Sequence, residues 1–234
     1  ITDCAKLQSM NNSLAASYIL KNDLNCNVAP FNTGQGFIPV GNATAQFTGT
    51  FDGKNFTISG LYIYKTSANA LTGTGLFGWT AGAIIKNVGL IDNNITATSS
   101  THVGALIGYS NLSTITNCYA TGPVKGSINV GGLIGRSHNS IISNSYATGN
   151  VNGLSNNTGG FMGWIGGTTN VNDCYATGNV IGGPSSFFVG GFAGEFEFSK
   201  IKNCYATGNV SGNNYVGGFA GNAHTVGASL ANSF

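Results

Sequence analysis

From about residue 58 onward the chain alternates between two textures. Short stretches rich in β-branched and aromatic residues are separated by turns rich in Gly and Asn. Four stretches nearly repeat: Ile115-Thr-Asn-Cys-Tyr-Ala-Thr-Gly122, Ile142-Ser-Asn-Ser-Tyr-Ala-Thr-Gly149, Val171-Asn-Asp-Cys-Tyr-Ala-Thr-Gly178 and Ile201-Lys-Asn-Cys-Tyr-Ala-Thr-Gly208. Their tyrosines, Tyr119, Tyr146, Tyr175 and Tyr205, are spaced 27, 29 and 30 residues apart. A second block lies between them: Val103-Gly-Ala-Leu-Ile-Gly108, Val130-Gly-Gly-Leu-Ile-Gly135, Gly159-Gly-Phe-Met-Gly163, Val189-Gly-Gly-Phe-Ala-Gly194 and Val216-Gly-Gly-Phe-Ala-Gly221. Weaker copies extend to Ile58 upstream and Leu230 downstream. The chain therefore holds about seven units of roughly 29 residues, a period that signals stacked repeats.

Such a unit is too broken by Gly and Asn for a helical pair, and it lacks the leucine spacing of a leucine-rich repeat. Three short strands with three turns account for its length. The pattern predicts an all-β fold, a right-handed parallel β-helix (β-solenoid) built from these rungs. Stacking puts like residues above like at about 4.8 Å. Ile115, Ile142, Val171, Ile201 and Leu230 then form one inward column, and Leu133, Phe161, Phe192 and Phe219 another. Asn87, Asn117, Asn144, Asn203 and Asn232 form a third, with Asp173 replacing one member. Stacked amides can hydrogen-bond along such a ladder.

Residues 1–57 read as an N-terminal cap with the first rung or rungs, and 58–234 as one continuous solenoid domain. Thr2 is the expected N-cap of a short helix carrying Cys4, Leu7, Met10 and Leu14 at helical spacing. The stretch 17–26 reads as a strand, and 47–58 as strand, Asp-Gly turn and strand. The chain stops at Phe234, inside the Ile-x-Asn-Cys-Tyr block; an open last rung invites another chain, and a fragment of a longer protein fits equally.

Composition narrows the class. Charged residues are only 7% of the chain and the net charge is +2, without a basic cluster, so nucleic acid is not an expected partner. No apolar run approaches a membrane span. The chain starts at Ile1, as a processed secreted chain would, and the wealth of Asn, Gly, Ser and Thr suits an extracellular or cell-surface setting. Seven N-x-S/T sequons, at Asn11, Asn42, Asn55, Asn94, Asn111, Asn156 and Asn209, permit glycosylation but are about what this composition gives by chance. Cys4 and Cys26 flank the cap and form the expected disulfide, stabilising by about 3 kcal/mol. Cys118, Cys174 and Cys204 share a repeat column with Ser145 and read as small buried side chains, although Cys174 and Cys204 on adjacent rungs have bridging distance within reach. No metal-ligand spacing is present, and no cofactor is called for.

The block Val130-Gly-Gly-Leu-Ile-Gly135 followed by Asn144-Ser-Tyr-Ala-Thr-Gly-Asn-Val151, with its copies, resembles the GLUG-motif family of surface proteins. The entry block, with Cys4, Cys26 and Phe51-Asp-Gly-Lys-Asn-Phe-Thr-Ile-Ser-Gly-Leu61, looks like the usual start of such arrays. The resemblance covers nearly the whole chain. It implies a secreted, adhesin-like or surface-structural β-helical module and carries over no catalytic residue.

Candidate chemistry is sparse. Sugar cleavage by acid–base catalysis needs two carboxylates facing one groove, and the chain has seven acids, mostly scattered. The residues after each Gly-x-x-Gly block align Arg136, Trp164, Glu195 and Asn222 in one column and His138, Gly166, Glu197 and His224 in the next. Glu197 and His224 are expected as neighbours across rungs, a small polar site beside Trp164 or a surface ion pair. In Tyr-Ala-Thr, alternation places Tyr119, Tyr146, Tyr175 and Tyr205 on one face with Thr121, Thr148, Thr177 and Thr207. If Ala points inward, this is an exposed Tyr/Thr strip suited to stacking on sugar rings, to packing on a neighbouring subunit, or to self-stacking alone. The expected function is a non-enzymatic structural or adhesive surface protein that self-associates, filament-like, through solenoid ends or flat faces. Its partners are copies of itself or surface glycans. A glycan-binding adhesin module is the alternative, and a polysaccharide lyase or hydrolase the least favoured.

Overall fold

The computed structural model describes residues 1–66, 73–224 and 227–234. The chain coils into a parallel β-solenoid; among the described residues the strands pair in parallel, with one isolated antiparallel bridge from Gly36 to Ile63. A representative rung runs through four sheets in order. Thr114–Ala120 lies in sheet 1, Val124–Gly126 in sheet 2, Val130–Gly131 in sheet 3 and Ile134–His138 in sheet 4; Ile141–Ser143 then returns to sheet 1. Among the described residues, sheets 2, 3 and 4 have six strands each. The three-strand rung expected from the repeat is thus too coarse, because the tight Gly-Gly-Leu corner of one repeat block divides its strand between sheets 3 and 4.

Register follows the repeat. Ile115 pairs with Ile85 and Ile142, and the column continues through Val171, Ile201 and Leu230. Phe161, Phe192 and Phe219 stack with centroids 4.9 Å apart at both steps. Each rung is too thin to bury its own apolar face, so the core exists only between rungs.

The Asn column sits at a bend that needs a left-handed backbone. Asn87, Asn117, Asn144, Asp173, Asn203 and Asn232 all have φ between 48° and 55°. Asn and Asp tolerate that conformation because their short polar side chains bond locally. Here they bond along the axis: Asn117 Nδ2 donates to Asn87 Oδ1 at 3.0 Å, Asn203 Nδ2 to Asp173 Oδ1 at 3.0 Å and Asn232 Nδ2 to Asn203 Oδ1 at 3.2 Å. Asp52 heads the ladder. Burial would raise its pKa, but the Asn87 amide, the Lys54 backbone N–H and the Lys54 ammonium outweigh it and hold the carboxyl down at about 2.

The first rungs are covered. The helix Cys4–Gln8 continues as a 3-10 turn through Asn12, and Leu7 and Met10 are fully buried against the core. Its N-cap is Asp3 rather than the expected Thr2: Asp3 Oδ1 accepts from the Lys6 N–H, and Thr2 bonds Asp3 instead. A carboxylate there also meets the positive helix end. Cys4 and Cys26 form the expected disulfide, with Cα atoms 5.5 Å apart. Thr50–Asp52 and Thr57–Ser59 flank the Asp-Gly turn as expected, but they do not pair with each other as a hairpin. Each pairs in parallel with Ile84–Ile91 of the next rung, because both belong to the solenoid wall. At the other end the core columns surface: Val216 and Leu230 are about half exposed and Phe234 is mostly exposed.

Candidate functional site: two ladders on the solenoid wall

The Tyr column forms as the alternation predicts. Ala120, Ala147 and Ala176 point inward and are buried, which turns Tyr and Thr outward. Tyr119, Tyr146, Tyr175 and Tyr205 stack almost parallel, with centroids 4.8, 4.7 and 5.0 Å apart and planes within 5°. Phe234 extends the stack beyond Tyr205 at 6.0 Å. At the other end the Tyr119 ring lies over Gly89, the residue that occupies the Tyr position one rung earlier and leaves no room there for a Cβ. The ring faces are therefore occupied by one another, and the strip offers solvent ring edges and hydroxyls. Burial, and then the neighbouring phenols, raise the pKa of Tyr146 and Tyr175. Of the threonines, Thr177 and Thr207 are exposed, while Thr121 and Thr148 are half-buried.

The outer face of sheet 4 carries the second ladder. Register pairs Trp79 with Tyr109, Tyr109 with Arg136, Arg136 with Trp164, Trp164 with Glu195 and Glu195 with Asn222. Trp79 and Tyr109 pack at 4.3 Å between centroids. The Arg136 guanidinium carbon lies 5.5 Å from the Tyr109 ring and 4.2 Å from the Trp164 ring. The Trp164 indole lies across its own strand over Gly166, where a Cβ would collide with it, and His138 stacks on it at 6.3 Å. His102, from sheet 3, packs against both Trp79 and Tyr109. Burial first, and the nearby Arg136 charge second, lower the His102 pKa to about 4. The Asn129 amide 3.0 Å from His102 Nδ1 is the donor to this neutral ring, and Asn157 Nδ2 donates in turn to Asn129 Oδ1 at 2.8 Å.

Glu197 and His224 align in the second column, but His224 does not pair with Glu197. Its Nε2 lies 2.8 Å from Glu195 Oε1, diagonally across the sheet, and Asn222 Nδ2 donates to the same oxygen at 3.1 Å. The diagonal contact prevails because Asn222, directly across from Glu195, already fixes a carboxylate that is only 13% exposed, against 50% for His224. With the His half in water, the pair contributes under about 1 kcal/mol.

The remaining thiols have a structural role. Cys118, Cys174 and Cys204 are free and buried. Each Sγ sits 3.1–3.3 Å from the carbonyl oxygen two residues earlier, and Ser145 Oγ makes the same contact at 2.8 Å. Thiol and hydroxyl are interchangeable there as small donors closing a turn. Burial pushes the Cys118 thiol up to about 12, far from a reactive thiolate. Among the described residues no cluster suited to a metal ion is found. Of the sequon asparagines, Asn42, Asn55, Asn94, Asn156 and Asn209 are exposed. Asn111 is half-buried beside His138. Asn11 spends its amide on Pro39 O and the Gly41 N–H.

Residues 99–125, 126–152 and 188–211, about a third of the chain, match the GLUG motif. These three segments are GLUG motifs. Halomucin of Haloquadratum walsbyi (strain DSM 16790 / HBSQ001) is 38% identical over 138 residues, which is 54% of this chain and 1% of Halomucin. This chain thus corresponds to a very small part of that relative. A candidate immunoglobulin A1 protease from Bacteroides ovatus has the same fold over the whole chain, at TM-score 0.78 and 22% identity, with 73% of its own chain covered. A second solved structure, an IgA1 protease, matches at TM-score 0.55 and 20% identity over 21% of its length. At these identities the two structures speak for the solenoid fold alone. Sequence reasoning reached the lower half of the sheet 4 ladder and missed its upper half. The signal was available: Trp79 and Tyr109 follow Gly78 and Gly108 just as Arg136 follows Gly135.

Proposed function

We propose that this GLUG solenoid is a non-enzymatic structural or adhesive module of an extracellular surface protein, associating through its flat faces. The GLUG repeats and the Halomucin similarity support the surface setting. The observation that carries association is a set of exposed apolar side chains on the outer wall. Ile84 and Ile141 face outward from sheet 1, and Leu112 and Phe198 stand at the adjoining corner, all between 44% and 63% exposed. Exposed apolar side chains gathered on one surface mark interaction sites. Head-to-tail stacking through the ends is disfavoured, since the helix and its disulfide close one of them. Light scattering across a concentration series tests the reading: association that Ile141→Lys weakens supports it, and a strictly monomeric particle at all concentrations overturns it.

Glycan binding by the Tyr/Thr strip is the second reading, favoured by four phenolic edges in a straight line. With the ring faces already stacked, recognition would run through the hydroxyls of Tyr175, Tyr205, Thr177 and Thr207. Glycan-array binding that survives Tyr175→Ala and Tyr205→Ala counts against that strip. A polysaccharide lyase or hydrolase is the weakest reading, because Glu195 is engaged by Asn222 and His224 and leaves Glu197 without a carboxylate partner for catalysis. Turnover abolished by Glu197→Gln would revive it.

A further inference from the structure

Arg136 is the chain's sole arginine, and its setting is unlike that of the lysines. Its guanidinium is sandwiched between Tyr109 and Trp164. Its Nε is buried and has no acceptor. The ion pairs among the described residues join Lys6 to Asp3, Lys54 and Lys86 to Asp52, and His224 to Glu195. Arg136 is in none of them. The nearest acid on its own column, Glu195, is two rungs away, about 10 Å along the axis, and is held by Asn222 and His224. The result is a fixed, partly dehydrated cation with no counter-charge in the protein.

A guanidinium stacked on both faces can bind only through the N–H donors in its plane. With Nε buried, the two terminal nitrogens remain, and their fork matches a planar carboxylate. The neighbours set the rest of the chemistry. Asn111 and His138 stand beside it in the second column, and a shallow cleft of about 150 Å³ lined by Gln46, Trp79, Tyr109 and Asn111 opens one rung above. These are hydrogen-bonding donors and acceptors; the two columns of this face contain no lysine, and their acids, Glu195 and Glu197, lie two rungs further along. One arginine flanked by hydrogen-bonding side chains suits a ligand with isolated carboxylates among hydroxyls. A densely charged polyanion would call for several cations in a row.

We infer that the outer face of sheet 4 is a binding site for uronic-acid-containing polysaccharide, with Arg136 gripping a sugar carboxylate and Tyr109, Asn111 and His138 bonding the flanking hydroxyls. The site lies on a different face from the Tyr ladder and does not depend on either reading of function given above. The test is a titration of the intact chain with oligogalacturonate, read by tryptophan fluorescence because Trp164 touches the guanidinium. Its fully methyl-esterified form and poly-glutamate serve as comparison probes. Saturable binding of oligogalacturonate is expected, with at least about tenfold loss for Arg136→Gln. A smaller loss is expected for Arg136→Lys, which keeps the charge but not the fork. Lys125→Gln, which removes an exposed cation from the separate strand Val124–Gly126, should bind as the unaltered chain does, which separates this site from general charge attraction. Equal binding of the neutral ester, equal binding of poly-glutamate, unchanged binding by Arg136→Gln, or no binding of oligogalacturonate each overturns the inference. If Arg136→Gln does not fold, Arg136→Lys decides alone: unchanged affinity overturns the site and weakened affinity supports it.

Discussion

The two ladders share one architecture and differ in what fills it. On sheet 1 the columns are nearly uniform: Tyr on four rungs, Asn or Asp on six, and Cys or Ser at one fixed turn position. On the outer face of sheet 4 the same axial spacing carries Trp, Tyr, Arg, Trp, Glu and Asn in succession. A uniform column is its own partner, since each ring or amide meets an identical neighbour. A mixed column keeps the geometry but cannot rely on self-similarity, so each rung offers distinct chemistry. The same contrast recurs at the left-handed corners. One corner is Asn or Asp throughout, whereas the other runs Gly82, Leu112, Asn139, Gly167, Phe198 and Gly227, all at positive φ.

The largest expected difference between the two sides is in acid. His102 flanks the mixed ladder with a folded pKa lowered to about 4, so the unfolded chain binds its proton first. Its contribution is present above pH about 6.5 and is lost as pH falls through the window to about 4, roughly 3 kcal/mol in all. Denaturant melts followed by circular dichroism should show that loss, and His102→Gln should abolish it. Arg136→Gln should also narrow the window by raising the His102 pKa, which an NMR titration of the imidazole reads directly. If the His102 pKa does not move, the ladder is not electrically coupled to sheet 3.

Asp52 heads the uniform Asn ladder, and its window lies lower. Its carboxyl titrates at about 2 in the folded chain, so its stabilisation of about 2 kcal/mol is complete above pH about 3.9 and disappears toward 2. Acid should therefore weaken the mixed side before the uniform side, and hydrogen exchange resolved by rung can establish the order. Next in size is Tyr175→Ala, which removes two ring contacts at about 1 kcal/mol each. A loss of about 2 kcal/mol is expected, centred on its own and adjacent rungs. A loss no larger than that of an exposed Thr177→Ala change would show that the stack contributes nothing. The smallest effect is at Leu112, exposed at φ 51°. Leu112→Gly should relieve left-handed strain and stabilise by up to about 1 kcal/mol, unless the corner's apolar side chain is needed for association, in which case light scattering falls while stability rises.

The uniform side was legible in the sequence because identity at a fixed period fixes register, and register fixes contacts. That is why the aliphatic, Asn and Tyr columns could be written down from spacing alone. It could not show that the Tyr faces are consumed by stacking, since that depends on ring tilt rather than on position. The mixed side was only half legible. Trp79 and Tyr109 hold the same slot as Arg136, but unlike residues do not announce a column. The diagonal choice of Glu195 by His224 is a matter of side-chain reach, which register does not encode. The cap was legible in its helix and disulfide and misread at Thr2, where two adjacent residues compete to accept from the same backbone N–H groups.

The Cys4–Cys26 link has a mechanical consequence. Backbone hydrogen bonds between rungs run along the solenoid axis, so tension along that axis loads them one rung at a time. The clasp closes the segment from residue 4 to residue 26, so tension cannot extend that stretch. Each further rung of about 29 residues that lets go releases about 100 Å of chain. A tether that lengthens in nearly equal steps limits the force reaching whatever it holds.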